Sequence, residues 1–427
     1  MAVARLVAVE EMLAADNPLD KIYDMPFERF QLTNIFLLMT MFVSCLDENF
    51  IESHWNHSIS EQGQPPLHFS ALEKNLDPNA CGSCHKDQFQ NWEKSHHAKS
   101  ISKGFLWQKE VLSSKEYQSC FQCHSPLAET KSELSIEYQT PGILNSKSHN
   151  FPDGISNPSI LCASCHIRNQ VRFGPPKRIN QTKEYPVKNL PHNGYIAKKE
   201  FESSEFCKSC HTSKETGIKL GGKKLMEVYS EWENSPFAKE GIQCQNCHMP
   251  DREHSWKGIH DKTFVQNSVR PTWSVTEKNG IFQIQAELKS LSVGHDFPTY
   301  IVPKIYLRFY AIQKKASRIL LEESVIGRFV NTRLTEEYFD TRIKPLGSHV
   351  VRFEYEPKQK TIQEFLWEIE VDPDEQYVRS FEEELREKEN QLSKQSKELL
   401  QESLSEKKNS RYMLFTLSLK VPVSLPQ

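Results

Sequence analysis

The sequence predicts an α+β chain of more than one domain: a mostly helical, loop-rich region followed by an antiparallel β-sandwich that carries an inserted helical segment. Three observations lead there. Ten of the eleven cysteines lie between residues 81 and 248, in five copies of one pentapeptide. From about residue 270, apolar and polar residues alternate with period two. Between residues 374 and 408 that alternation gives way to a Glu/Lys-rich stretch with apolar residues at helical spacing. At 427 residues the chain exceeds what one core usually organises, in keeping with the confinement of the cysteine motifs.

Residues 1–44 read as a leader. The run from Asn34 to Ser44 has the length of a signal-peptide apolar core and is too short to span a bilayer. Residues 1–24 carry Glu10, Glu11, Asp16, Asp20 and Asp24 where a basic n-region is expected, so Met25 is expected as the true start and 25–44 as the signal peptide. Cys45, the eleventh cysteine, follows small Ser44 directly and resembles the lipid-attachment site of bacterial lipoproteins, with Phe42 where that pattern usually has leucine. Residues 45–75 then read as a flexible tether, polar and interrupted at Gly63, Pro65 and Pro66, with His54, His57 and His68 solvated.

The five pentapeptides occupy the next region, 76–265. They are Cys81, Cys84, His85; Cys120, Cys123, His124; Cys162, Cys165, His166; Cys207, Cys210, His211; and Cys244, Cys247, His248. Cys-x-x-Cys-His is the attachment signature of haem c: two thiols add to the porphyrin vinyl groups, and the imidazole becomes an axial iron ligand. Zinc ribbons use Cys-x-x-Cys pairs two at a time and do not require the fifth residue. Histidine is 16 of 427 residues, so its chance occurrence after all five pairs has a probability on the order of 10⁻⁷ if positions are independent. A thioredoxin-like dithiol needs one such motif, not five in series. Five covalently bound haems are therefore expected, and with them export, because this attachment occurs outside the cytoplasm.

Intervals near forty residues leave room only for short helices and loops, so the porphyrin faces are expected to supply much of the buried surface with Trp92, Trp107, Phe121, Tyr229 and Trp232. Folding should then depend on haem. The formal charge of −3, made more negative by haem propionates, and the lack of a basic cluster with interleaved aromatics argue against nucleic acid as a partner.

A sequence repeat lies inside this region. Residues 92–99 and 232–239 both read Trp-x-x-Ser-x-x-Ala-Lys, with His97 in the first copy aligned to Phe237 in the second. Cys81 to His85 followed by Trp92, Ser95, His96 and His97 resembles the opening motif of the nitrification tetrahaem cytochromes c and their relatives in the hydroxylamine oxidoreductase group. Residues 241–250 are similar to the last motif of many of these proteins. The resemblance covers roughly residues 80 to 260, and it implies that His97 is a distal ligand to a haem other than that of its own motif. Cys-x-x-Cys-Lys does not occur, so the lysine-ligated haem of pentahaem nitrite reductase has no counterpart.

An iron with two side-chain ligands passes electrons, whereas one with an open face can bind a substrate. Histidines outside the motifs that could serve as distal ligands are His97, His96, His254, His260, His295, His192 and His149. His96 and His97 would diverge by about 100° on a helix, so only one of them is expected to face iron.

Strands are expected beyond residue 270. Phe282, Ile284, Ala286 and Leu288 alternate with polar residues, as do Ile305, Leu307, Phe309 and Ala311; Val351, Phe353 and Tyr355; Phe365, Trp367 and Ile369; and Met413, Phe415, Leu417 and Leu419. The insertion 374–408, with Val378, Phe381, Leu385, Leu392 and Leu399, reads as a long helix or helical hairpin packed on its own domain.

The function expected from these features is electron carriage in the cell envelope through five haems c, exchanging electrons with redox partner proteins, in the periplasm or on a membrane through the lipid at Cys45. The alternative is an oxidoreductase of a small nitrogen or sulfur compound, acting at one open haem.

Overall fold

The computed structural model describes residues 49–55, 59–131, 154, 156–178, 190–313, 317–357 and 362–421. The expected leader, Cys45, His57 and His149 lie outside them. Among the described residues, no helix is long and apolar enough to cross a membrane.

The cysteine-rich region is built of short helices. Helix α1 spans Phe50–His54, α2 spans Lys86–Lys94 and α3 spans Ser114–His124, the last opened by a capping box between Ser113 and Glu116. Other motifs close single turns: Pro78–Gly82, Cys162–His166, Glu205–His211 and Cys244–His248. A helical turn places residues i, i+3 and i+4 on one side, which is what two thiols and an imidazole need to address one porphyrin.

The Trp-x-x-Ser repeat proves to be one device used twice. Trp92 Nε1 donates to the Ile160 carbonyl and Trp232 Nε1 to the Ile242 carbonyl, both at 2.8 Å. Each acceptor lies two residues before the first cysteine of a motif, Cys162 and Cys244. Ser95 and Ser235 then accept from the amides of Ala98 and Ala238.

The region does hold small apolar clusters of its own, which the sequence reading did not anticipate. Trp92 packs with Ile59, Leu76, Leu127, Leu161 and Ile167, and Phe105 with Leu106, Tyr117 and Phe121. Trp107, expected against porphyrin, is instead buried under Val378, Phe381, Leu400 and Leu404.

The strand-rich region contains two antiparallel sheets and a small hairpin. Its strands are β1 Val269–Lys278, β2 Ile281–Ser290, β3 Lys304–Gln313, β4 Arg318–Ile326, β5 Arg328–Val330, β6 Glu337–Asp340, β7 Ser348–Tyr355, β8 Ile362–Asp372 and β9 Tyr412–Lys420. One sheet has the order β7-β2-β1, the other β9-β8-β3-β4, and β5 pairs with β6. Asn279 and Gly280, both at positive φ, make the tight turn from β1 to β2.

Alternating residues point into a common core. Leu288, Ile305, Leu307, Phe309, Trp367 and Ile369 are buried there. Phe309 stacks on its cross-strand partner Trp367 at 5.4 Å and meets Phe353 of the other sheet at 5.3 Å. The alternation expected for Met413, Phe415, Leu417 and Leu419 is broken by a bulge opposite Ile369 and Glu370, which turns Leu414 into the core. Strands β1 and β4 and the β5–β6 hairpin were not among the runs singled out from the sequence.

The inserted segment is a helical hairpin, α4 Glu375–Lys388 and α5 Lys394–Lys408. Contrary to expectation, its apolar stripe does not pack on its own domain. It covers Trp107, and Leu399 reaches the cluster of Phe105, Tyr117 and Phe121.

Candidate haem-binding site

The histidine rings are arranged in pairs. His248 and His295 have ring centres 6.3 Å apart and nearly parallel at 10°; His166 and His254 are 6.1 Å apart at 31°; His97 and His211 are 6.1 Å apart at 64°. A metal–imidazole bond of about 2 Å and a reach of about 1.1 Å from ring centre to Nε2 put two rings on one iron about 6 Å apart. Each pair joins a motif histidine to one from the candidate set. The residues present thus fit haem iron between them.

Tautomers agree with this fit. Nδ1 of His124 lies 3.0 Å from the Ser100 carbonyl, that of His166 2.8 Å from Phe173 and that of His248 2.6 Å from Lys257. His254, His295 and His192 make the same bond to the carbonyls of Arg252, Asp296 and Gly194, at 2.8, 2.9 and 2.9 Å. Donation from Nδ1–H to a fixed carbonyl leaves Nε2 as the lone-pair donor. Burial holds His97 down to about 3 and His166 and His211 down to about 4, so these imidazoles are neutral, as metal ligation requires.

Two candidates are placed elsewhere. His96 faces His260 at 4.4 Å, too close for an iron between them, and His260 Nε2 contacts Asp374 at 3.1 Å. His96 and His97 thus turn to different neighbours. His192 lies in the electrostatic neighbourhood of His85, whose pKa burial and His192 both lower. The ring neighbour of His124 is Phe105, at 5.3 Å.

Sequence reasoning missed three side chains. His54, expected to be solvated, is buried; its Nε2 lies 2.8 Å from the Cys165 carbonyl, among Trp55, Phe173, Phe201 and Phe206. Burial and the charge of Arg168 hold it down to about 3. Trp256, at a φ of 42°, touches the rings of both His97, at 4.4 Å, and His254, at 5.2 Å. Tyr300 bonds His211. Each of these meetings is long-range or depends on a left-handed backbone, and neither is written in local spacing.

The ten described cysteines form no disulfides. Single thiols from different motifs meet: Cys81 with Cys162, Cys123 with Cys210, and Cys207 with Cys244. Among the described residues, no set of three or more His, Cys, Asp or Glu side chains converges as a metal-ion site would require. Motifs two and four flank a cleft lined by Trp55, Ile59, Cys123, Cys210 and Met226.

The structure of a penta-heme cytochrome c552 from Thermochromatium tepidum superposes with a TM-score of 0.57, at 16% identity, over 82% of this chain and 100% of that one. The fold is that of a multihaem cytochrome c. Residues 80–146 also match the family described as cytochrome c554 and c-prime, a span that holds the first two motifs, Trp92 and His97 of this cytochrome fold. No curated protein matches the sequence.

Proposed function

We propose that this protein is an exported pentahaem cytochrome c that carries electrons between redox partners of the cell envelope. Covalently held haem supplies reversible one-electron chemistry at iron. The cysteines of the five motifs would attach the groups, with His85, His124, His166, His211 and His248 as proximal ligands. His97, His254 and His295 would close the opposite faces of the fourth, third and fifth centres, and His192 that of the first.

The observation that carries this reading is the set of three imidazole pairs spaced at 6.1–6.3 Å. Paired ligands leave no face for a substrate, which favours electron transfer over bond-making chemistry. Trp256 between two of the pairs supports close approach of neighbouring centres. The leader up to Ser44 and the lipid on Cys45 belong to the same proposal, as does a β-sandwich formed by the two sheets around their common core.

A second reading attaches to motif two. His124 faces Phe105 and meets no second imidazole ring among the described residues, which favours an open iron there and with it the alternative of reduction or oxidation of a small nitrogen or sulfur compound.

The test is mass spectrometry of the mature holoprotein, to count haems and read the N-terminus, followed by electron paramagnetic resonance with and without nitrite or hydroxylamine. Five haems and low-spin signals unmoved by either compound are expected for a carrier. A high-spin signal that shifts on addition makes the second reading the better one, and fewer than five haems overturns the pentahaem assignment.

A further inference from the structure

The partner of His211 differs in kind from those of three other motif histidines. Where His124, His166 and His248 meet backbone carbonyls, His211 Nδ1 lies 2.9 Å from the hydroxyl of Tyr300, a side chain from the strand-rich region 89 positions later. With Nε2 committed to iron, Nδ1 carries the proton and donates to the phenol oxygen. A phenol is a weaker acceptor than an amide carbonyl, so it draws less electron density into the imidazole. It is also a side chain, and so it can be altered without touching the main chain.

The backbone around Tyr300 is built to hold that hydroxyl in place. Tyr300 has a φ of 67°, a left-handed conformation that a bulky residue adopts only under constraint from its surroundings. The preceding Thr299 donates from Oγ1 to Glu231 Oε2 at 3.1 Å, and Glu231 is bound at 2.6 Å by Arg342. Phe297 and Ile343 exchange both backbone bonds at 2.8 Å. Five residues before Tyr300, the same loop delivers His295 to His248. One segment of the strand-rich region therefore touches the histidines of motifs four and five, in two different ways.

We infer that Tyr300 is a positioning residue that sets the reduction potential of the motif-four haem through its hydrogen bond to His211. An acceptor at Nδ1 increases electron donation to iron and stabilises the ferric state, so removing it raises the potential. The strand-rich region thereby acts on electron flow and does not merely cap the haem region. This inference rests on the proposal that His211 ligates a haem.

The experiment is a spectroelectrochemical titration of the holoprotein carrying Tyr300→Phe, with haem count read first by mass spectrometry. Fewer than five haems in the unaltered protein sinks the underlying assignment and not only this inference. With five haems present in both, one of the five potentials is expected to move upward in the variant while the other four stay in place. Should the phenylalanine variant fail to load, 4-fluorophenylalanine at position 300 fills the hydroxyl's volume with a poor acceptor, and the same upward movement is expected. Unchanged potentials, or a downward movement, overturn the inference. Failure of both variants to load five haems would assign Tyr300 to assembly, and would overturn it equally.

Discussion

His295 shows how much one side chain decides. Its ring lies parallel to that of His248, its Nδ1 is fixed by the Asp296 carbonyl, and Asp296 is itself held by Lys344 at 2.7 Å. Replacing His295 with Ala is expected to convert one low-spin centre to high spin in the oxidised holoprotein, visible by electron paramagnetic resonance; an unchanged spectrum would exclude His295 as a ligand. The motif histidines and His97, His254 and His295 were all legible as candidates, because metal chemistry restricts the residue types that can serve. The pairing between them was not legible, since it joins residues up to 114 positions apart, as for His97 and His211. His54 and Tyr300 gave no local signal at all: a buried imidazole bonded to a carbonyl has the same sequence as a solvated one.

At the level of elements, the hairpin of α4 and α5 has the most testable energetics. Leu400 is fully buried against Trp107 and Phe381. Leu400→Ala should cost about 2–5 kcal/mol, the range for a large-to-small change in a closed core, measured by denaturant unfolding of the holoprotein. The hairpin's helical period was readable from Val378, Phe381 and Leu385, but its partner was not, because an amphipathic stripe states that a face is covered without stating by what. Strand alternation was similarly readable in β2, β3 and β8, whose inward residues are apolar apart from Ser290 at the end of β2. It failed in β9, where the bulge inserts Leu414 and shifts the phase of the residues before it.

For the whole molecule, the contact between strand-rich and haem-motif regions combines the apolar cover over Trp107 with a buried ionic cluster. Arg342, almost fully buried, bonds Glu231 of the helical turn Val228–Glu233 and both oxygens of Asp340, and Lys223 reaches Asp340 at 2.6 Å. Burial works against the charged form of Asp340, yet the bonds from Arg342 and Lys223 outweigh it and hold the carboxyl well below its ordinary value of 3.8. A depressed folded pKa contributes stability that is present above the unfolded value and lost as pH falls below it through the folded one. The holoprotein should therefore lose stability below about pH 4, and Asp340→Asn should flatten that acid limb in unfolding measured across pH; an identical acid limb would show that the contact is not pH-sensitive through this carboxylate. The onset of strands was readable from the change of period near residue 270. The interlocking of the regions through His295, Tyr300 and Arg342 depends on loops, where no period exists to read.

The cover over Trp107 comes from residues nearly three hundred positions further along the chain. During synthesis, the helix bearing the second Cys-x-x-Cys-His and the cluster of Phe105, Tyr117 and Phe121 stand without their lid until the hairpin between the last two strands has emerged. Contacts of such high sequence separation form late, since a long loop must close before they repay its entropy. A chain cut short between Asp372 and Glu375 would keep β1 to β8 and all five motifs, and would still leave bare the apolar surface beside the second motif. Nascent chains are thus most exposed to proteases and chaperones beside the second motif.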